Sequence, residues 1–268
     1  MSTLQASGFG QIPPEGGLAR NDATRKFEIG TVVSDTMGNS YRYVKANAAL
    51  AQGMAVTAVA KAAWPTAILV DGAVDATSAT NKIHVDAFLA DHTANQMRGY
   101  FLSIASAEAT NTASNGRAYK IKSHDAIDFS VSTEGDVFLE DNLTESWANN
   151  DALLIYNPYL VTPVAAATDV IMGIAVGTIA ADSYGFIQIG GHCPAVLVGG
   201  TTNLAVVADE PLVPGATIAT DMLAGALMGV TGSTDADIYE VGNSPVRSLQ
   251  AVAADTAGYV EAFIQGLV

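Results

Sequence analysis

Positive charge is scarce in this chain. It carries 12 Lys and Arg against 27 Asp and Glu, for a formal net charge of −15. Binding the phosphates of a nucleic acid takes clustered cations. The one local group, Arg20, Arg25 and Lys26, shares its stretch with Asp22. No nucleic-acid partner is expected.

Cysteine is nearly absent. Cys193 stands alone, which excludes an intramolecular disulfide framework. It follows His192, so a Cys/His nucleophile pair has to be weighed. Neighbours on an extended strand point to opposite faces, which separates thiol from imidazole. A buried structural thiol is the expectation.

The remaining chemistry-bearing residues are just as sparse. His84, His92, His124 and His192 are dispersed, with neither a His-x-x-x-His nor a Cys-x-x-Cys pattern. The segment 231–237 holds Asp235 and Asp237 but lacks the glycine and distal glutamate of a calcium loop. There is no phosphate-cradling glycine loop and no Gly-x-Ser-x-Gly elbow. Aromatics make up 7% of the chain, so sugar-stacking platforms are few, and Trp64 and Trp147 read as core anchors. No catalytic, cofactor-binding or metal-ligating residue is assigned, and no cofactor is expected.

Long apolar runs are also missing. A membrane helix needs about 18 or more apolar residues in sequence. The richest stretch, 161–180, is interrupted by Thr162, Pro163, Thr168, Asp169, Gly173 and Thr178. Residues 1–10 show neither the basic nor the apolar region of a secretory leader. No membrane partner is expected.

What the chain does have is apolar content and turn signals. Of its 268 residues 49% are hydrophobic, enough for a globular core, and 15% are charged. The surface is therefore built largely of Ser, Thr, Asn, Gly and Ala. Apolar alternation with period two predicts strands. A hairpin is expected from 29–35 through the turn at Met37-Gly38-Asn39-Ser40 into Tyr41-Arg42-Tyr43-Val44-Lys45. Further strands are expected near 54–59, 82–90, 100–104, 119–122, 136–140, 152–156, 170–176, 184–189, 194–198, 204–207 and 260–264. Asn115-Gly116 is a hairpin turn signal. The 141–150 connector allows one helical turn.

Short strands at this spacing predict an all-β fold of two to three small barrel or sandwich units. Gly8, Gly10, Pro13, Pro14, Gly16 and Gly17 make residues 1–26 an extended N-terminal arm. The expected division is arm 1–26, first β domain 27–165 and second β domain 166–268. The arm has too little apolar surface for a core, so Leu4, Phe9, Ile12 and Leu18 are expected to contact a neighbouring subunit or another protein. A weak similarity between the strand pairs after Gly30 and after Gly177 reads as chance.

Several segments together resemble a known family. They are Gly38-Asn39-Ser40-Tyr41-Arg42-Tyr43-Val44-Lys45-Ala46 with Ala48-Ala49-Leu50-Ala51-Gln52-Gly53, then Arg117-Ala118-Tyr119-Lys120-Ile121-Lys122, and Leu154-Ile155-Tyr156-Asn157-Pro158-Tyr159-Leu160. They continue with Gly173-Ile174-Ala175-Val176 and Tyr184-Gly185-Phe186-Ile187-Gln188-Ile189-Gly190-Gly191-His192-Cys193-Pro194. In this order they are similar to tailed-bacteriophage virion structural proteins, in particular head decoration (cement) and minor capsid proteins. The resemblance implies an all-β, non-enzymatic protein on the outside of the capsid, assembled in the host cytoplasm. It implies the major capsid protein and further copies of itself, as a homotrimer, as partners. A head-fibre or tail-adaptor subunit is the alternative within virions. From another class, the alternative is an extracellular glycan-binding or glycan-degrading protein.

Overall fold

The computed structural model describes residues 17–59, 68–71, 80–86, 91–104, 117–128, 130–144, 146–165, 169–198, 206, 208–214, 224–229, 245–251 and 258–265. Among these there is no α-helix, and the fold is all-β. The chain forms two compact units, 1–59 with 159–268, and 60–158. The second is inserted into the first, so the expected boundary at 165 moves. β3 (Ala55–Ala58) and β10 (Leu160–Pro163) pair antiparallel, Val161 opposite Ala58, so the inserted unit occupies the loop position of a hairpin. The chain leaves the insert at Asn157-Pro158. Sequence spacing could not reveal this, because the closing pair is a hundred residues apart.

In the first unit the expected hairpin forms between β1 (Val32–Ser34) and β2 (Ser40–Ala46), with Val33 opposite Tyr41. β2, β10, β3, β11 (Gly173–Ala175) and β12 (Tyr184–Val198) follow one another around a sheet, and β12 returns to pair with β2, closing a five-stranded barrel. Val44, Ala46, Leu50, Val56, Val161, Ala175, Ile179, Ile187 and Ile189 form its core cluster. Full burial of a side chain of the Val, Leu or Ile size contributes roughly 1.5–3 kcal/mol.

On the other face of β2 and β12, Tyr41, Tyr43 and Phe186 pack with Val33, and Leu18, Phe27, Val176 and Tyr184 lie against them. Tyr43 meets Phe27 edge-on with ring centroids 5.1 Å apart. The segment preceding the hairpin is stitched on here. Asp22 and Tyr184 exchange backbone hydrogen bonds of 2.8 Å, Arg20 pairs with Asp22 at 2.9 Å, and the Tyr43 hydroxyl donates to Asp22. The C-terminal part of the expected arm, from Leu18 onward, is thus docked on its own barrel. Leu4, Phe9 and Ile12 lie outside the described residues.

Residues 184–189 and 194–198, expected as two strands with a Gly190-Gly191 connector, are one 15-residue strand. Its first part pairs with β2 and its second with β16 (Gly258–Ile264), on a second sheet. That sheet runs β13 (Leu212–Pro214), β14 (Leu227–Gly229), β12, β16, β15 (Val246–Ser248). A bridge between Pro211 and Arg247, with hydrogen bonds from Asp209 N to Ser248 O and from Ser248 N to Glu210 O, brings its two edges together. Cys193, Val196, Val198, Leu212, Leu227, Val246, Val260, Ala262 and Ile264 share its core cluster. The strand expected over 170–176 shortens to Gly173–Ala175, and of 204–207 only Val206 lies within the described residues.

The inserted unit is a closed six-stranded barrel in the order β4 (Ile68–Val70), β5 (Lys82–Asp86), β8 (Gly135–Leu139), β7 (Ala118–His124), β6 (Phe101–Ile104), β9 (Ala152–Tyr156). Ile83, Val85, Leu102, Ile121, Val137, Leu139, Leu153 and Ile155 are buried at alternate positions, and Tyr119 joins them while Lys122 is exposed. Trp147 is buried edge-on against Tyr119, as an anchor rather than a platform. The described part of 141–150 has no helical turn. Trp64, the 87–90 end of the strand expected over 82–90, the Asn115-Gly116 turn and the 231–237 segment lie outside the described residues.

Candidate functional site

Cys193 and His192 take opposite faces of β12. The thiol is buried in the core, its Sγ 3.6 Å from the Ala195 carbonyl, and burial pushes its pKa up. The His192 ring lies outside, 3.6 Å from Glu261. The two cannot act as nucleophile and base in this arrangement.

That outer face is the most distinctive surface of the first unit. Alternation along β16 turns Tyr259, Glu261 and Phe263 outward while Val260, Ala262 and Ile264 go in. Phe263 is flanked by Arg247 on β15 and His192 on β12. The Leu249 backbone N–H donates to the Glu261 carbonyl, which brings Leu249 alongside. Tyr259, Phe263 and Leu249 are 56%, 46% and 43% exposed. Three of the six exposed large apolar residues among the described ones therefore adjoin on one sheet face, fringed by one cation, one carboxylate and one imidazole. The alternation was legible in the sequence. The neighbours from β12 and β15 were not, because strand order supplies them.

The other histidines sit on the inserted barrel. His124 is buried, accepts a 2.9 Å hydrogen bond from Met97 N at Nε2 and has Nδ1 2.6 Å from the Asp125 carbonyl. Burial pushes both His124 and His92 down, which keeps their rings neutral near pH 7.

His84 is different. β5 places it opposite Asp136 on β8, and the Asp71 backbone N–H donates to its carbonyl. Asp136 accepts from Nδ1 at 2.8 Å, while Nε2 lies 3.5 Å from Asp71 and 3.7 Å from Glu134. The hydrogen bond with Asp136 raises the His84 pKa; partial burial opposes this, and the charges of Asp136, Asp71 and Glu134 add to the rise. Among the described residues, Asp71, His84 and Glu134 are the group whose ligand atoms could hold a metal ion, all lying within 4.8 Å of one another. Sequence reasoning missed them. Their positions, 71, 84 and 134, follow no metal-binding spacing, and only strand pairing in the barrel brings them together.

No described helix is long and apolar enough to cross a membrane. No known protein family, curated protein or solved structure matches the chain.

Proposed function

We propose that this protein is a non-enzymatic structural component of a tailed-phage virion, a decoration protein that docks on the outer surface of the head shell and bridges its subunits. The observation that carries the reading is the outer face of β16, with Tyr259, Phe263 and Leu249 turned to solvent beside Arg247 and Glu261. Aromatic residues with a neighbouring arginine are the composition of a contact centre. The segments that carry the sequence resemblance support the reading in a second way. Two of them, Tyr41 to Lys45 and Tyr184 to Gln188, are adjacent paired strands of one barrel, while Ala118 to Lys122 and Leu154 to Tyr156 belong to the inserted one. The net charge of −15 favours a position away from the packaged genome. The partners are the major capsid protein and further copies of this chain, as a homotrimer.

The test is cosedimentation with undecorated heads, followed by electron microscopy of the particle. The expected result is saturable binding at regular positions on the head exterior, weakened at least tenfold by the double substitution Tyr259→Ala and Phe263→Ala. Density on a fibre or at the tail vertex would assign the chain to the alternative virion role. A chain that stays monomeric, ignores heads and retains a glycan would overturn the virion reading. A specific contact of this kind buries about 1,000 Å² or more, so neighbouring surface must contribute as well.

A further inference from the structure

We propose that Asp71, His84 and Glu134 form a binding site for a divalent first-row transition cation, with Zn²⁺ as the reference ion, on the outer face of the inserted barrel. Asp136 sits directly across the ladder and takes up Nδ1 at 2.8 Å. A carboxylate on one ring nitrogen fixes the tautomer and directs the lone pair of the other outward, which is how metal-ligating histidines are held. Asp136 is itself occupied, since the Lys82 ammonium lies 2.6 Å from its second oxygen. It therefore serves as the orienting group, and Lys82 neutralises it.

The other ring nitrogen faces two carboxylates at the ends of two neighbouring strands. Asp71 follows β4 and Glu134 precedes β8, two residues before Asp136 and so on the same face. The separations from Nε2 are 3.5 and 3.7 Å. These are too long for N–H···O hydrogen bonds, which run about 2.7–3.2 Å. They are close to the edge of a coordination tetrahedron, where bonds of about 2.0–2.1 Å set ligand atoms roughly 3.3 Å apart. Three anchors with a fourth position open to water are the donor set of an exposed metal site.

The donor chemistry selects the ion. One imidazole and two carboxylates suit Zn²⁺ and its neighbours in the first row. Ca²⁺ takes about six to eight oxygens, more than this cluster offers. Among the described residues, the charged groups around His84 each have a role. Asp136 is on β8, and Asp71 and Glu134 adjoin β4 and β8 on either side. On its own strand, Lys82 pairs with Asp136, and Asp86 accepts from the Thr133 hydroxyl at 2.5 Å. A bound ion would tie the end of β4 to β5 and β8, stapling three adjacent strands of the barrel from outside. The ion needs the Nε2 lone pair, so it competes with a proton there.

The test uses the full chain stripped of metal and titrated with Zn²⁺ alone, by calorimetry in a weakly coordinating buffer near neutral pH. The expected result is one Zn²⁺ per chain at this site. His84→Ala and Glu134→Gln should each weaken binding at least tenfold, Asp136→Asn by about 10–100-fold without removing a ligand, and His192→Ala should leave it unchanged. In the unaltered protein, nitrogen-15 spectra of the imidazoles should show the His84 Nε2 resonance moving on Zn²⁺ addition while Nδ1 keeps its proton. That measurement does not depend on any variant folding. Absence of binding, binding that survives His84→Ala, or an unmoved His84 Nε2 in the Zn²⁺-loaded chain would overturn the site. None of these results bears on head binding, so this site and the virion reading fail separately.

Discussion

Asp35 shows how much one side chain organises. It accepts from the backbone N–H groups of Met37 and Asn39, from the Asn39 amide and from the Tyr41 hydroxyl, all at 2.8–3.0 Å. Partial burial works against its charge, but these hydrogen bonds outweigh it and its pKa lies below the ordinary value. Burial and the same carboxylate push the Tyr41 pKa up. Asp35→Ala should destabilise the first unit by about 1–3 kcal/mol at pH 7, measured by urea unfolding. The pH dependence has a definite sign. Because the folded-state pKa is lowered, the contribution is complete above the unfolded value of about 3.9 and is lost as pH falls through the folded one. The gap between parent and variant should therefore be constant near neutrality and close in acid. A gap that widened on acidification would contradict this account.

At the scale of elements, the unusual piece is β12, which serves two sheets. Gly191 at its midpoint has φ +90°, in the left-handed region, and a Cβ there would lie 2.9 Å from the Asn39 Cα. The polar groups freed by the irregular register are taken up by side chains. The buried Gln188 amide donates to the carbonyls of Gly190 and His192, and the His192 backbone N–H donates to Asn39 Oδ1 at 2.8 Å. Asn39 thus joins the hairpin turn, through Asp35, to the point where β12 passes from one sheet to the other. Gly191→Ala should cost at least about 1–3 kcal/mol through backbone strain alone. Asn39→Ala should cost a similar amount by leaving a backbone donor unpaired. A double-substitution cycle of Asp35→Ala with Asn39→Ala, read by denaturant unfolding, should be non-additive because both residues belong to one network. Additive effects would mean that the turn and the strand crossing are independent.

For the molecule as a whole, the insertion makes the clearest prediction. The backbone N–H of Val59 donates to the Leu160 carbonyl at 3.0 Å, so the chain enters and leaves the insert at neighbouring points. Ends that close favour independent folding of both parts. Replacing residues 60–158 by a short Gly/Ser linker should leave a β-rich protein that unfolds cooperatively, and residues 60–158 alone should do the same. Circular dichroism and thermal melts of the two proteins check this. If neither folds, the units are mutually dependent. The shortened chain also separates the two functional readings, because it keeps the β16 face and lacks His84.

The sequence alone determined the local features. Alternation of apolar residues marked the strands over 82–86 and 260–264, the Gly38-Asn39 turn marked the first hairpin, and the lone thiol beside an outward imidazole pointed to a buried Cys193. These follow from period two and from turn chemistry, which act over a few residues. The closing of β3 on β10 around an inserted barrel, the union of 184–198 into one strand and the meeting of Asp71, His84 and Glu134 were decided only by tertiary structure. Each depends on pairing between distant segments, and pairing is set by which strand edges find each other when the cores close. The glycines at 190 and 191 illustrate the difference. In the sequence they signal a break, while in the fold the strand bends past Asn39 and continues, because Gly191 carries no side chain where it approaches Asn39.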